Sequence, residues 1–270
     1  MIATLGDALL DVIVRLDEPL EAGADALAAA QTSVGGQAAN VAAWAVALGT
    51  EARCIAKRGD DLAGKLVGAE LGARGVELAG PVQGRSGIVV SLVGTDGERT
   101  MASDRGVAPD LAPEELDAPW FEDADVLHLS GYSLMRSPID DAALLAADLA
   151  RASNARVSVD LSAWTRIRDF GPAKFRERVE TLEPDVVFAN EPEWEIVGGA
   201  YALARTAVVK RGARGILVLG EQQAELPPVP GEVVDATGAG DALAAGFLVG
   251  GPELAVATAA RCVAKLGTMP

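Results

Sequence analysis

Seven residues, Asp235-Ala-Thr-Gly-Ala-Gly-Asp241, set two carboxylates around a stretch of small residues and run straight into the apolar segment Ala242 to Leu248. Gly238, Ala239 and Gly240 present backbone N–H groups with no bulky side chain in the way, and the apolar run reads as the start of a buried helix. A helix N-terminus leaves donors unpaired and carries roughly half a positive charge, so it attracts an anion. Asp241 puts a carboxylate at the same spot. Amides that hold a migrating phosphoryl group, beside a base that takes the acceptor's proton, are what phosphoryl transfer requires. The same residues serve equally as a tight glycine turn with Asp235 or Asp241 capping the helix. The segment is not a Walker A loop, because no Lys-Ser/Thr follows the glycines. Nor is it G-x-G-x-x-G, because Leu243 stands three positions after Gly240.

A second group lies near the N-terminus. Asp7 and Asp11 follow the first apolar run, and Val34-Gly-Gly-Gln-Ala-Ala-Asn40 leads into an Ala-rich helix. Gly35 and Gly36 allow close approach to the backbone, and the Asn40 amide both donates and accepts. Carboxylates with an amide suit a neutral polyhydroxylated ligand such as a sugar. Turn chemistry at a strand end, and a plain loop into a helix, account for the same residues.

Positioning these groups falls to a regular alternation of elements. Ile2-Leu5, Ala52-Ile55, Val126-Leu129, Val157-Val159, Val186-Ala189, Ala207-Val209 and Ile216-Leu219 are predicted strands. Ala38-Leu48, Asp61-Arg74, Ile139-Arg151, Pro172-Leu182 and Glu253-Leu266 are predicted helices. Such alternation predicts an α/β fold with a doubly wound, mostly parallel sheet. Ligands of open α/β sheets gather at the carboxyl ends of the strands, where Asp7, Asp160 and Asn190 fall. Two segments break the rhythm: Asp11-Ser33, and Gly87-Asp104 with its turn at Gly94-Thr-Asp-Gly97. Both read as strands outside the main sheet that can pair into a small flap, and a flap over a site excludes water.

Composition removes several classes. The 270 residues suffice for one large domain, and the net charge of −16 argues against nucleic-acid binding. No apolar stretch reaches the ~20 residues of a membrane span, and the N-terminus reads as a strand rather than a signal peptide. Cys54 and Cys262 read as buried free thiols, which points to the cytoplasm. The one histidine, His128, lies in an apolar strand and reads as a satisfied interior residue. Two cysteines and one histidine cannot assemble a zinc cluster at standard spacing.

With Gly35-Gly36-x-x-x-Asn40, Asn190-Glu-Pro-Glu193 and Asp235-Ala-Thr-Gly-Ala-Gly-Asp241 in that order, the chain resembles the ribokinase-like (PfkB) family of carbohydrate kinases over almost its whole length. The resemblance implies an ATP- and Mg²⁺-dependent sugar kinase, a phosphotransferase with an alcohol-group acceptor. It implies an α/β nucleotide- and substrate-binding domain of residues 1–10, 34–86 and 105–270, and a small β lid of residues 11–33 and 87–104. Asp241 corresponds to the catalytic base, and Gly238, Ala239 and Gly240 to the anion hole. Asp7, Asp11, Gly35, Gly36 and Asn40 correspond to sugar contacts. Asn190, Glu193, Lys210, Gly212, Gly215, Thr237, Gly238 and Gly240 correspond to the nucleotide side, Glu193 positioning Mg²⁺ through water. Asp235 and Thr237 stand where some members hold a monovalent cation, mainly through backbone carbonyls, which leaves K⁺ dependence open. Asp96-Gly-Glu-Arg-Thr100 resembles the lid turn, and Arg99 either reaches a phosphate or the substrate or sits at a solvated tip.

Departures from the family pattern bear on the ligands. Gly220 to Asp235 is short, which puts the nucleotide preference in question, and Leu129-Ser-Gly-Tyr132 lacks the acidic residue of ribokinases proper, which weakens ribose. A nucleoside kinase of the same family and a non-catalytic sugar or nucleotide sensor are the alternatives. The apolar lid strand Ile88-Val93 gives a motive for a homodimer through the lid, and dimer and monomer both stand.

Overall fold

Strands that are apolar on both faces need cover on both sides, and the chain supplies it by alternating them with helices. The computed structural model describes residues 1–96, 99–199, 203–220 and 223–270. Gly97 and Glu98 of the expected hairpin turn lie outside the described residues. In chain order the strands are β1 (Ile2–Leu5), β2 (Leu9–Leu16), β3 (Ala28–Gly35), β4 (Ala52–Ile55), β5 (Glu77–Ala79), β6 (Ser86–Val93), β7 (Arg99–Gly106), β8 (Val126–Ser130), β9 (Arg156–Asp160), β10 (Val186–Asn190), β11 (Thr206–Lys210), β12 (Ile216–Gly220) and β13 (Ala224–Leu226). The helices are α1 (Gln37–Ala47), α2 (Leu62–Ala73), α3 (Ile139–Ala152), α4 (Trp164–Phe170), α5 (Pro172–Thr181), α6 (Glu191–Ile196) and α7 (Ala239–Val263).

Among the described residues, nine strands form one sheet in the order β13-β12-β11-β10-β9-β8-β1-β4-β5. All its pairs are parallel except β11 with β12 and β12 with β13. Successive side chains alternate between faces. Val187 and Ala189 join the core under α3 and α5, whereas Val186 and Phe188 join the core under α1 and α7. The fold is therefore a doubly wound, mostly parallel sheet with helices on both faces.

A separate sheet has the order β3-β2-β6-β7. Asp11 is level with Ser33 and Val89, and Ser91 with Met101. Alternation then puts Asp11, Ser91, Arg99 and Arg105 on the face turned to the large sheet. Val12, Val14, Val90 and Leu92 lie on the opposite face, half-buried. The edge strand β3 has no apolar alternation. Pairing with β2 makes it a strand, in keeping with the expectation that 11–33 holds strands outside the main sheet.

The short segment after Gly220 holds β13, paired antiparallel with β12. By length and composition α7 would reach across a membrane. Gly250 and Gly251 leave helical geometry within it, however, and Pro252 follows, so it is two shorter helices across a kink. Its first half is buried, with Ala242, Leu243, Ala244 and Ala245 in the core below the sheet.

Candidate functional site

Parallel register brings the strand ends together. Asp160 is level with Phe188 and Ser130, and Lys210 with Asn190, so four consecutive strands finish along one edge. Lys210 Nζ donates to Asp160 Oδ2 at 2.6 Å, both side chains largely buried. Burial works against the Lys210 charge, but the charges of Asp160, Glu193 and Asp241 outweigh it and hold the ammonium above its usual range. Asn190 and Glu193 form a capping box at the start of α6. The Asn190 backbone and amide nitrogens donate to the two Glu193 oxygens, each at 2.8 Å, and Glu193 N donates back at 2.9 Å. Burial, opposed by Lys210, pushes Glu193 up to about 7.

The loop before α7 meets this edge from the other side. Gly238 is the helix N-cap with φ 76°, a left-handed conformation that glycine adopts without strain. No side chain caps the helix, and while the Ala239 N–H donates to the Ala236 carbonyl oxygen at 3.3 Å, those of Gly238 and Gly240 stay free for a ligand. A Cβ on Gly238 would lie 2.8 Å from Thr268 Cβ, and one on Gly240 would lie 3.2 Å from Lys210 Nζ. The Lys210 ammonium thus stands directly over the first turn of α7. Asp241, in that turn, is 7% exposed and accepts from Asn40 Nδ2 at 2.7 Å. The Asn40 carbonyl oxygen accepts from the Thr268 hydroxyl at 3.0 Å. Burial, reinforced by Asp160 and Asp11 and opposed by Asn40 and Lys210, pushes the Asp241 carboxyl up to about 7. A carboxylate poised there can exchange a proton near neutral pH.

Asp11 and Asp7 play different parts. Asp11 is buried, accepts no hydrogen bond among the described residues, and is pushed up to about 6 by burial, with Arg99 opposing. Its oxygens are available to a ligand hydroxyl. Asp7 is not: Arg105 donates to both its oxygens at 2.8 Å and lies 5.7 Å over the Tyr132 ring. Gly35 and Gly36 have a steric reason beyond ligand access. A Cβ on Gly35 would fall 2.2 Å from Asp11 Oδ2, and one on Gly36 2.3 Å from the Asp7 carbonyl oxygen, with φ 93°.

Asp235 and Thr237 are held within the chain. Arg99 Nη1 donates to the Asp235 oxygens at 3.0 and 2.9 Å and to the Thr237 hydroxyl, so Arg99 is no solvated tip. Gly212 and Gly215 form the turn after β11, both at positive φ, and a Cβ on Gly215 would lie 1.9 Å from the Leu226 carbonyl oxygen. Turn geometry accounts for both. Among the described residues, no group of three or more His, Cys, Asp or Glu is arranged to hold a metal. His128 hydrogen-bonds Ser158 at 2.9 Å in the interior, and burial lowers it to about 4. Cys54 and Cys262 are both free and buried.

Sequence reading noted Asp160 as a strand-end polar residue but gave it no role, although the strand-end rule was signal enough. Arg105 escaped it, because nothing local distinguishes an arginine of the small sheet that will meet Asp7. Ser162 and Ser130 both donate to Gln37 Oε1, a cluster at the same edge that was equally invisible.

The pfkB family carbohydrate kinase model matches residues 1–269. An ATP-dependent ribose-1-phosphate kinase from Halopiger xanaduensis is 34% identical, covering 92% of this chain and 83% of that one. Fructokinase-1 from Oryza sativa subsp. japonica is 29% identical over 92% and 82%. Among solved structures, the adenosine kinase of Sinorhizobium meliloti superposes with a TM-score of 0.87 at 25% identity, covering 100% of this chain and 95% of that one.

Proposed function

Because the chain belongs to the pfkB family of carbohydrate kinases, we propose that it transfers the γ-phosphoryl group of ATP to a hydroxyl of a sugar or sugar-like acceptor, with Asp241 as general base. The observation that carries this reading is the juxtaposition at the start of α7. A buried carboxylate near 7, the free N–H groups of Gly238 and Gly240, the Ala239 N–H between them on the Ala236 carbonyl oxygen at 3.3 Å, and the Lys210 ammonium share one helical turn. The acceptor lies against Asp11, Asn40 and the Gly35-Gly36 backbone. Asp241 takes the proton of the attacking hydroxyl, while the amides and Lys210 meet the charge on the phosphoryl oxygens. Asp160 holds Lys210 in place. The small sheet closes over the acceptor as a lid and excludes water.

Magnesium fits as a companion of the triphosphate. Both Glu193 oxygens are engaged by Asn190, so its reach to a metal runs through water, and Mg²⁺ commonly keeps several waters and binds through phosphates. When bound, it neutralises charge on the β- and γ-oxygens. Asn190 and Glu193 orient that end of the nucleotide, and Lys210, Thr237 and the 212–215 turn flank it.

The decisive experiment is a coupled ADP-release assay with Mg²⁺-ATP against ribose 1-phosphate, fructose, other sugars and adenosine. The panel follows the names of the relatives, and adenosine keeps the nucleoside-kinase reading in view. Turnover on one acceptor should fall on the order of 10²–10⁴-fold in Asp241→Asn with acceptor binding retained. Substantial activity in that variant removes Asp241 from the role. Binding without turnover across the panel favours a sensor.

A further inference from the structure

The lid and the anion-hole loop meet at one guanidinium. Arg99, at the start of β7, donates through Nη1 to both Asp235 oxygens and to the Thr237 hydroxyl, and through Nε to Ser91 of its own sheet. Only 14% of the Arg99 side chain and 8% of the Asp235 side chain are exposed. Asp235 also accepts from the backbone of Thr237 at 2.9 Å and of Gly267 at 3.0 Å. One carboxylate therefore ties together a lid strand, the C-terminal segment and the loop that leads into Gly238. A buried carboxylate needs a counter-charge and a full set of donors, and this one has both. Burial alone would raise its pKa, but hydrogen bonds from Thr237 and Gly267 and the Arg99 charge hold it below the ordinary carboxylate range.

The monovalent cation that the family resemblance implies at Asp235 and Thr237 does not fit this arrangement. Arg99 already supplies the positive charge to the carboxylate and occupies the Thr237 hydroxyl, and the Cys262 thiol faces the Thr237 carbonyl oxygen at 3.5 Å. A second cation within a few ångströms of the guanidinium would meet like-charge repulsion. We propose that Arg99 is the built-in counter-cation of the anion-hole loop, a positioning residue that fixes Gly238 to Gly240 without K⁺ and links their geometry to the lid. Since the charge is carried by a lid strand, the order of the loop and the position of the lid become one variable.

The rate arm of the test rests on the kinase reading; the unfolding arm does not. Thermal unfolding and initial rates are measured for wild type, Arg99→Met, Arg99→Lys and Asp235→Asn in KCl, NaCl and tetramethylammonium chloride at equal ionic strength. Wild type should show the same Tm and the same kcat in all three salts. Arg99→Met should melt lower and recover part of the loss in KCl or with added guanidinium, but not in tetramethylammonium. Its kcat should fall by about tenfold or more, because small misplacements of catalytic groups are costly, while KM for ATP changes little. Arg99→Lys should stay indifferent to K⁺ while losing part of kcat, since an ammonium keeps the charge but not the fork. If Arg99→Met does not fold, Arg99→Lys and Asp235→Asn carry the comparison, and Asp235→Asn should likewise be indifferent to the salt. A wild-type Tm or kcat that rises selectively in K⁺ overturns the proposal, as does an Arg99→Met variant with wild-type kcat. If no acceptor is turned over, the salt dependence of Tm decides alone.

Discussion

Asp241 is a carboxylate whose direct partner is a neutral amide, and burial pushes it up to about 7, with Asn40 opposing. A base with a raised pKa must lose its proton before it can act, so kcat/KM for the acceptor should climb with pH and level off above about 7. Asp11, at about 6, and Glu193, at about 7, titrate in the same window. The profile therefore reports the cluster rather than one residue. Asn40→Ala removes a donor that favours the ionised form, and the apparent pKa should move upward with the plateau displaced to more alkaline pH. A profile that stays put, or moves down, would separate Asn40 from the base. Lys210→Met withdraws a positive charge from the same carboxylate and from the proposed anion hole. It should raise that pKa too and lower kcat on the order of 10²–10³-fold, with rapid-quench measurement of the chemical step as the check.

At the scale of elements, the start of α7 contains two glycines with different physical duties. Gly238 sits at φ 76° with Thr268 Cβ 2.8 Å from where its own Cβ would be, so alanine there is strained twice over. Gly238→Ala should destabilise the fold by about 1–3 kcal/mol, the usual cost of such backbone strain. Gly240 lies in ordinary helical geometry, where alanine is the better helix former, and its constraint is the Lys210 ammonium, 3.2 Å from where a Cβ would stand. Gly240→Ala should keep or slightly raise Tm while kcat falls, because the new methyl displaces the ammonium. Calorimetry beside steady-state kinetics distinguishes the two positions. Equal losses of stability in both variants would contradict the division.

The whole molecule stores three raised acids around the site: Asp11 on the small sheet, Glu193 at the start of α6 and Asp241 in the first turn of α7. For an acid whose folded pKa exceeds its unfolded one, the folded state binds more protons between the two values. Stability then falls as pH rises across that window and is level above it. Here the window runs from the ordinary carboxylate range to about 7. The net charge of −16 acts in the same direction, since protonation relieves self-repulsion. The ligand-free protein should therefore melt higher at about pH 5 than at about pH 8. Asp241→Asn should melt higher than wild type at the alkaline end and near it at the acidic end. Equal Tm values across that range would show that the site carboxylates are not buried against their charge.

Local pattern was enough for most of the architecture. Strand residues that match the large sheet, such as Ile2–Leu5 and Val186–Ala189, are short, mostly apolar runs between helical stretches, and burial of both faces dictates that composition. Three motifs likewise marked Asn40, Asn190 and Asp241 as a set through the family resemblance they carry, while glycine, amide and carboxylate chemistry was legible locally only around Asn40 and Asp241. The edge strands β5 and β13 were not, since neighbours rather than their own side chains make them strands. Nor were the charge partners. That Asp7 is spent on Arg105, that Asp160 holds Lys210, and that Asp235 is matched by Arg99 each join residues at least 50 positions apart. Local composition laid down the layers, the strand ends and the residue types that stand there. Which carboxylates remain free for a ligand emerged only on folding, because counter-charges are assigned by distance in space, and distance along the chain carries no record of it.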